Sequence, residues 1–140
     1  MLTDEQIRKI CEYMNDRPVE AVYLFGSQAT NDARPDSDYD FGVLFEDSVG
    51  SSERFELRLE MMGLLTGMFK TDNVDVLDLN SSPIRFQYEA IKPRKLIYEK
   101  NSAVVKDFEY RVLTGYLDEA YHLKQATRDY LSQVASVGIL

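Results

Sequence analysis

Residues 19–45 read VEAVYLFGSQATNDARPDSDYDFGVLF, and this stretch decides the fold. Its two ends, residues 19–25 and 39–45, are apolar runs rich in β-branched and aromatic residues, which is typical of buried strands. The first run ends at Gly26, and small polar residues separate it from the second. The stretch therefore predicts two neighbouring strands joined by a polar connection, in which a short helix could open at Ser27.

The sequence on both sides of this stretch predicts helices. Thr3 and Gln6 have the spacing of a capping box, and apolar residues follow at helical intervals, so a first helix is expected at about 3–15. A Gly-Ser-Ser sequence caps another helix at about 53–69. The apolar residues at helical spacing predict that the buried face of this helix carries Phe55, Leu59, Met62, Leu65 and Phe69.

The rest of the chain continues the alternation. An apolar run predicts a third strand at 74–79. A short helix is expected to start with Ser82 as its N-cap and to end at Lys92, because the residue before a proline disfavours the α region. A short fourth strand is predicted at 96–98, and a long helix at about 102–133, where there is no proline and helical periodicity persists.

This order of elements predicts an α/β (α+β) fold with one mixed sheet of about four strands and helices packed on it. The length of 140 residues suits one domain, so residues 1–140 are expected to form a single unit. A net charge of −8 argues against a generic nucleic-acid binder. The polar, acidic start and the lack of a long apolar stretch predict a cytoplasmic protein without a membrane partner.

Asp38 and Asp40 are the first candidates for chemistry. They lie two apart at the head of an apolar strand, so their side chains are expected on one face. Adjacent carboxylates repel each other unless they share a proton or bind a hard cation such as Mg²⁺. The chain has one cysteine and one histidine, so metal chemistry would have to rest on carboxylates.

The pair Gly26-Ser27 is the second candidate. A strand that ends in glycine and opens a helix at serine exposes backbone N–H groups, and these groups with the helix dipole form an anion site. Glycine also lets a phosphate approach the backbone closely. A phosphate site beside metal-binding carboxylates is what phosphoryl or nucleotidyl transfer needs.

A third carboxylate is expected from the strand at 74–79. Asp75 and Asp78 interrupt an otherwise apolar run, and a charge there is costly unless it is paired or bound to metal. Strict alternation places the two on opposite faces, so at most one should join the site. Asp75, at the beginning of the strand, is the favoured one.

The acidic segment also allows other interpretations. The acids around Pro35 could instead form caps or turns. The spacing of Asp36, Asp38 and Asp40 imitates a calcium loop, but Phe41 stands where an EF-hand needs glycine. A P-loop is excluded because no Gly-Lys-Ser/Thr sequence follows Gly26.

Taken together, Gly26-Ser27, ten intervening residues and Asp38-Tyr39-Asp40 resemble the signature of the DNA polymerase beta-like nucleotidyltransferase superfamily. The combined pattern is much more specific than its parts. The apolar residues on both sides of it also match the strands of that family.

The later elements extend the resemblance over a core of roughly residues 15–100. The short length, the strand around Asp75, the helix from Ser82 and the strand at 95–98 are similar to the minimal nucleotidyltransferases of prokaryotes. Many of those proteins are antitoxins paired with HEPN-domain RNase toxins. The resemblance implies a nucleotidyltransferase fold, ATP as co-substrate, a two-metal Mg²⁺ site, and transfer of AMP to a hydroxyl, expected to be a tyrosine, of the partner toxin.

The resemblance also implies roles for particular residues. Asp38 and Asp40 would hold the metals, Asp75 would complete the site near the attacking hydroxyl, and Gly26 with Ser27 would hold the β- and γ-phosphates. Relatives often carry arginine directly after Gly-Ser and again two residues on, whereas Gln28 and Thr30 stand there in this chain. Arg34 is the candidate substitute for these phosphate contacts.

Two alternative functions stay open. The first is a small-molecule nucleotidyltransferase of the aminoglycoside-modifying type, which usually needs an added domain for its acceptor. The second is an antitoxin that blocks its partner sterically without catalysis. The three intact acids favour an active enzyme over this second alternative.

The long C-terminal helix is apolar on more than one side. One stripe is expected to pack on the core and comprises Val105, Phe108, Val112, Tyr116, Leu123 and Tyr130. A second stripe begins with Leu113, Leu117 and Tyr121 and is predicted to contact a partner protein.

Overall fold

The computed structural model describes residues 2–26 and 38–138. Its elements in chain order are α1 (Asp4–Asn15), β1 (Val19–Phe25), β2 (Tyr39–Phe45), α2 (Ser51–Phe69), β3 (Val74–Asp78), α3 (Ile84–Ile91), β4 (Lys95–Glu99) and α4 (Ser102–Ser136). The four predicted strands and the long C-terminal helix are confirmed. The short helix expected at Ser27 lies outside the described residues.

The four strands form one mixed sheet, as predicted, in the order β3-β2-β1-β4. Strand β1 pairs antiparallel with both β2 and β4, whereas β2 and β3 run parallel. The start of β2 therefore lies between the start of β3, which runs parallel to it, and the end of β1, which runs antiparallel to it. This arrangement gathers Gly26, Asp40 and Asp75 at one end of the sheet.

Helices cover both faces of the sheet. Helices α1 and α2 pack on one face, where Ile10, Met14, Met61 and Leu65 join the buried side chains of Phe41 and Val43. Helices α3 and α4 pack on the other face, where Ala90, Val105 and Phe108 join Tyr23 and Leu79. The α1 capping box formed by Thr3 and Gln6 is confirmed.

The predicted buried face of α2 is confirmed in part. Leu65 is buried, and Met62 and Phe69 are partly buried against the core. The prediction is wrong for Phe55 and Leu59, since they are 57% and 52% exposed, and Met61 is buried instead. Arg54 and Arg58 point toward the sheet. Arg54 donates a hydrogen bond to the carboxylate of Asp78, and Arg58 donates one to the backbone oxygen of Val76, both in β3. Polar bonds to the sheet thus decide the orientation of a helix that is apolar on several sides.

Two details of the later helices also differ from expectation. Ser82 does not cap α3, which has Pro83 as its N-cap residue. The Ser82 hydroxyl instead donates a hydrogen bond to the backbone oxygen of Asp78, at 2.6 Å. In α4 the first half of the expected core stripe is buried, but Leu123 and Tyr130 are exposed because the helix extends beyond the sheet.

The extension of α4 is long. No residue between 117 and 138 is buried, so about 30 Å of helix projects from the body at 1.5 Å per residue. Tyr116, which stacks on Tyr88 of α3 with ring centroids 3.8 Å apart, is the last aromatic contact between α4 and the body among the described residues.

Within residues 2–26 and 38–138, no helix is both long enough and apolar enough to cross a membrane.

Candidate active site

Asp40 and Asp75 lie directly opposite each other on the parallel strands β2 and β3. Residues paired in this way point to the same face of the sheet. Two residues further along β2, Gly42 faces Ala90 of α3 and Leu79, which identifies the face as the α3 side. Asp38 precedes β2 by one residue, and Asp38 and Asp75 line the same small cavity, of about 200 Å³.

The charges of these three acids act on one another. Burial raises the pKa of Asp40 above its usual 3.8, and the negative charges of Asp38 and Asp75 raise it further. Like charges gathered in this way are costly, even with Arg58 3.7 Å from Asp75, and they are typical of a site that binds a cation or a proton.

The donor set suits a hard cation, because it consists of carboxylate oxygens. Asp72 and Asn73 line the cavity beside Asp38 and Asp75 and add further oxygens there. Within the described part of the chain, no three His, Cys, Asp or Glu side chains already stand close enough to form a metal centre. The acids fit Mg²⁺ by the chemistry of their oxygens and by their shared face of the sheet.

Gly26 follows the end of β1 and touches the acidic site. Its φ of +73° lies in the left-handed region that favours glycine. A side chain at this position would also collide with the carboxylate of Asp40. The backbone conformation therefore favours glycine here, and any side chain would also have to displace the Asp40 carboxylate. Ser27, Gln28, Thr30 and Arg34 lie outside the described residues.

A cleft of about 540 Å³ opens beside Gly26, and it is large enough for a nucleotide-sized ligand. Phe25 and Pro93 give it apolar walls, and Glu89 and Lys92 from the α3 end give it charged groups. The sequence alone does not indicate Glu89 and Lys92, because Lys92 is recognisable only as a helix end before a proline. The packing of α3 beside β1 brings both residues to the wall of this cleft.

Asp78 has surroundings of the opposite kind, on the face covered by α2. Its carboxylate accepts hydrogen bonds from Arg54 Nε at 2.9 Å, from Ser81 Oγ at 3.0 Å and from the Asn80 backbone N–H at 3.0 Å. Of the two aspartates in β3, only Asp75 lies on the face of Asp40. The prediction that Asp75 and Asp78 lie on opposite faces of the strand is confirmed. Asp78 is part of a hydrogen-bonded network between β3 and α2.

Comparison with known proteins identifies the fold and the family. Residues 5–103 match the family described as polymerase beta, nucleotidyltransferase. The protein adenylyltransferase MntA of Aphanizomenon flos-aquae (strain 2012/KM1/D3) is 28% identical over 105 residues, which cover 68% of this chain and 67% of that protein.

Solved structures show the same fold. A chain from a toxin–antitoxin crystal structure with AMP-PNP superposes with a TM-score of 0.67 at 20% identity, covering 89% of this chain and 98% of that one. A chain from the tri-AMPylated Shewanella oneidensis HEPN toxin in complex with MNT antitoxin gives a TM-score of 0.61 at 19% identity, over 89% and 95% of the two chains. With its family match over most of the sequence and its acids on adjacent strands, this chain belongs to the polymerase beta nucleotidyltransferase family.

Proposed function

We propose that this chain is a Mg²⁺-dependent protein adenylyltransferase that acts as an antitoxin. It transfers AMP from ATP to a hydroxyl, expected to be a tyrosine, of a cognate HEPN RNase toxin and so neutralises it. Family membership supports nucleotidyl transfer. The named activity of the MntA relative and the toxin–antitoxin complexes among the structural neighbours support a protein acceptor. The proposal places the reaction in the cytoplasm, where ATP and the RNA substrates of such a toxin occur.

The observation that carries the proposal is the register of β2 and β3. It opposes Asp40 and Asp75 on one face, with Asp38 on the same small cavity. We assign Asp38 and Asp40 to metal binding, and Asp75 to the third ligand position nearest the acceptor. Bound Mg²⁺ would offset charge on the attacking and leaving oxygens of an in-line displacement.

The chain's own residues would orient the reactants and move one proton. Asp75 is 65% exposed and therefore accessible to a hydroxyl presented by another protein. The acceptor oxygen forms a bond to the α-phosphorus of ATP while the bond from that phosphorus to the bridging oxygen breaks. Pyrophosphate leaves, and the hydroxyl proton passes to the Asp75 carboxylate.

The nucleotide would occupy the cleft beside Gly26. We assign Gly26 and Ser27 to the β- and γ-phosphates, since a glycine without a side chain allows close approach to backbone N–H groups. Lys92 lines the same cleft and supplies a positive charge for the phosphates. This lysine offers a cationic contact within the described residues, where relatives often use arginine after Gly-Ser.

The projecting part of α4 is the proposed contact with the toxin. Leu113, Leu117 and Tyr121 are all exposed, as a contact surface requires. The exposed apolar surface continues along the same helix through Leu123 and Leu131, with Lys124 and Arg128 beside them. An apolar surface with charged groups at its rim is typical of a protein interface.

Charge complementarity supports a basic partner. The chain carries a net charge of −8, and an RNA-cutting toxin needs a basic surface to bind its substrate. Opposite charges would speed the encounter of the two proteins. An AMP group placed near the RNase site would repel the RNA backbone, so modification could silence the toxin even when the antitoxin is substoichiometric.

The test is to incubate the chain with the HEPN protein encoded beside it, ATP and Mg²⁺, and to measure intact masses. The proposal predicts that the partner gains mass in units of AMP and loses RNase activity. Neutralisation without a mass change, and unaltered by Asp38→Ala, would replace the enzyme with a steric antitoxin. Transfer of AMP to an aminoglycoside but not to the partner would indicate a small-molecule enzyme.

A further inference from the structure

Arg58 connects helix α2 to the candidate site on the other face of the sheet. Its Nε donates a hydrogen bond to the backbone oxygen of Val76, and its Nη2 lies 3.7 Å from Asp75 Oδ1. Val76 and Asp75 are consecutive residues of β3, which is an edge strand. The arginine therefore reaches round the free edge of the sheet, from the layer of α2 to an acid on the α3 side.

Arg54, one helical turn before Arg58, provides an internal comparison. It donates to Asp78 Oδ2 at 2.9 Å and to the backbone oxygen of Val49 at 2.8 Å. This ion pair is largely buried, with 16% and 17% of the two side chains exposed. Two arginines of α2 thus pair with the two aspartates of β3. Arg54 pairs with the largely buried Asp78, and Arg58 pairs with Asp75 of the candidate site.

We propose that Arg58 is a positioning residue for Asp75. Its planar guanidinium is anchored by the hydrogen bond to Val76 and forms an ion pair with the Asp75 carboxylate, and its charge offsets part of the negative charge shared by Asp38, Asp40 and Asp75. This inference rests on the proposed function, since it takes these carboxylates to be the groups that bind a divalent cation.

The position of Arg58 predicts two effects of opposite sign. Removing its charge leaves the three carboxylates more negative, which strengthens their attraction for a cation. Removing the anchored guanidinium also removes the ion-pair partner of the exposed Asp75 carboxylate, which then spends less time where the acceptor hydroxyl must lose its proton. A variant that merely weakened the fold would not bind a cation more tightly.

Arg58→Gln is therefore expected to bind Mn²⁺ about two- to fivefold more tightly, the change expected for removing one partly exposed charge near the site. Its kcat should fall about tenfold, while the KM for ATP changes little. Arg58→Lys keeps the charge but not the planar guanidinium anchored at Val76, so its Mn²⁺ affinity should stay within about twofold of wild type and its kcat should be intermediate. Arg54→Gln should lower the melting temperature and leave Mn²⁺ affinity unchanged.

The experiment is a titration with Mn²⁺, without nucleotide, in which free metal is measured by electron paramagnetic resonance for wild type and the three variants. Unchanged or weaker binding by Arg58→Gln, or an equal gain in Arg54→Gln, would overturn the role of Arg58. If wild type binds no Mn²⁺, both this inference and the proposed metal site are wrong. If binding responds as expected but wild type transfers no AMP, only the proposed reaction fails.

Discussion

Strand β3 carries two aspartates whose surroundings differ in kind. Asp78 faces α2 and accepts hydrogen bonds from a guanidinium, a hydroxyl and a backbone N–H. Asp75 is largely exposed, lies opposite Asp40, and forms an ion pair with Arg58 at 3.7 Å. Asp78 is thus surrounded by hydrogen-bond donors, whereas Asp75 lies beside another acid and is open to solvent. This difference is why we propose a structural role for Asp78 and a catalytic role for Asp75.

The largest effect is expected from removing the acids of the proposed site. Asp38→Ala or Asp40→Ala should lower AMP transfer by at least about 10²–10³-fold, the range found when one group that stabilises transition-state charge is lost. The fold should survive, since deleting one of several repelling carboxylates removes an unfavourable interaction. Transfer from ATP labelled at the α-phosphate, with thermal melting alongside, measures both. Full activity in either variant would show that the site is elsewhere.

The glycine beside the acids offers the next largest effect. Gly26→Val should reduce ATP affinity strongly, because the side chain would collide with Asp40 and force a strained left-handed backbone. Ser27→Ala should have a smaller effect on ATP use. Calorimetry with ATP and Mg²⁺ measures the affinity. Gly63→Val is the matched control, since a side chain at Gly63 meets nothing within 4 Å. Equal affinities for Gly26→Val and wild type would exclude a phosphate site at Gly26.

A third prediction concerns the apolar surface of α4. Leu117→Glu should weaken binding to the toxin by about tenfold or more, since a charge would be buried against an apolar contact. Phe55→Glu on α2 is the control, because both residues are 57% exposed in the isolated chain. Binding measured by surface plasmon resonance should separate the two variants, while their melting temperatures stay close to wild type. An equal loss of binding in both would place the interface elsewhere.

The smallest expected effect is on stability against pH. The raised pKa of Asp40 means that the folded chain holds this proton more tightly than the unfolded chain does. The contribution of Asp40 to stability is thus greatest below its usual pKa of 3.8 and is lost as the pH rises through the raised value. Asp40→Asn should therefore raise the melting temperature at pH 7 by more than at pH 3.5. A lower melting temperature of Asp40→Asn at pH 7 would contradict the repulsion argument.

The sequence was sufficient to predict the four strands and to place Asp75 and Asp78 on opposite faces of β3. Its apolar runs are short and β-branched, and alternation alone separates Asp75 from Asp78. The parallel register that sets Asp40 opposite Asp75 needed the structure, because strand order depends on contacts between distant segments. The site residues themselves stay predictions, with Ser27 outside the described residues.

Helix faces were harder to predict than strands. In α2, apolar residues occur all round, so periodicity found Leu65 but could not show that Met61 points inward while Phe55 and Leu59 stay exposed. In α4, the stripe through Leu123 and Tyr130 continues past the last residue that the sheet can cover. The pairing of Arg58 with Asp75 depends on how α2 packs against an edge strand, and nothing in the spacing of the sequence indicates it.

The most direct test of the account compares the two aspartates of β3 in one experiment. Asp75→Asn and Asp78→Asn are assayed together for transfer of labelled AMP to the partner and for free energy of unfolding. We expect Asp75→Asn to be at least about 10²-fold less active than wild type, with little change in stability. Asp78→Asn should keep most of its activity but lose about 1–3 kcal/mol of stability, because Arg54 is left partly buried without its charge partner. The reverse order of the two activities would contradict the account.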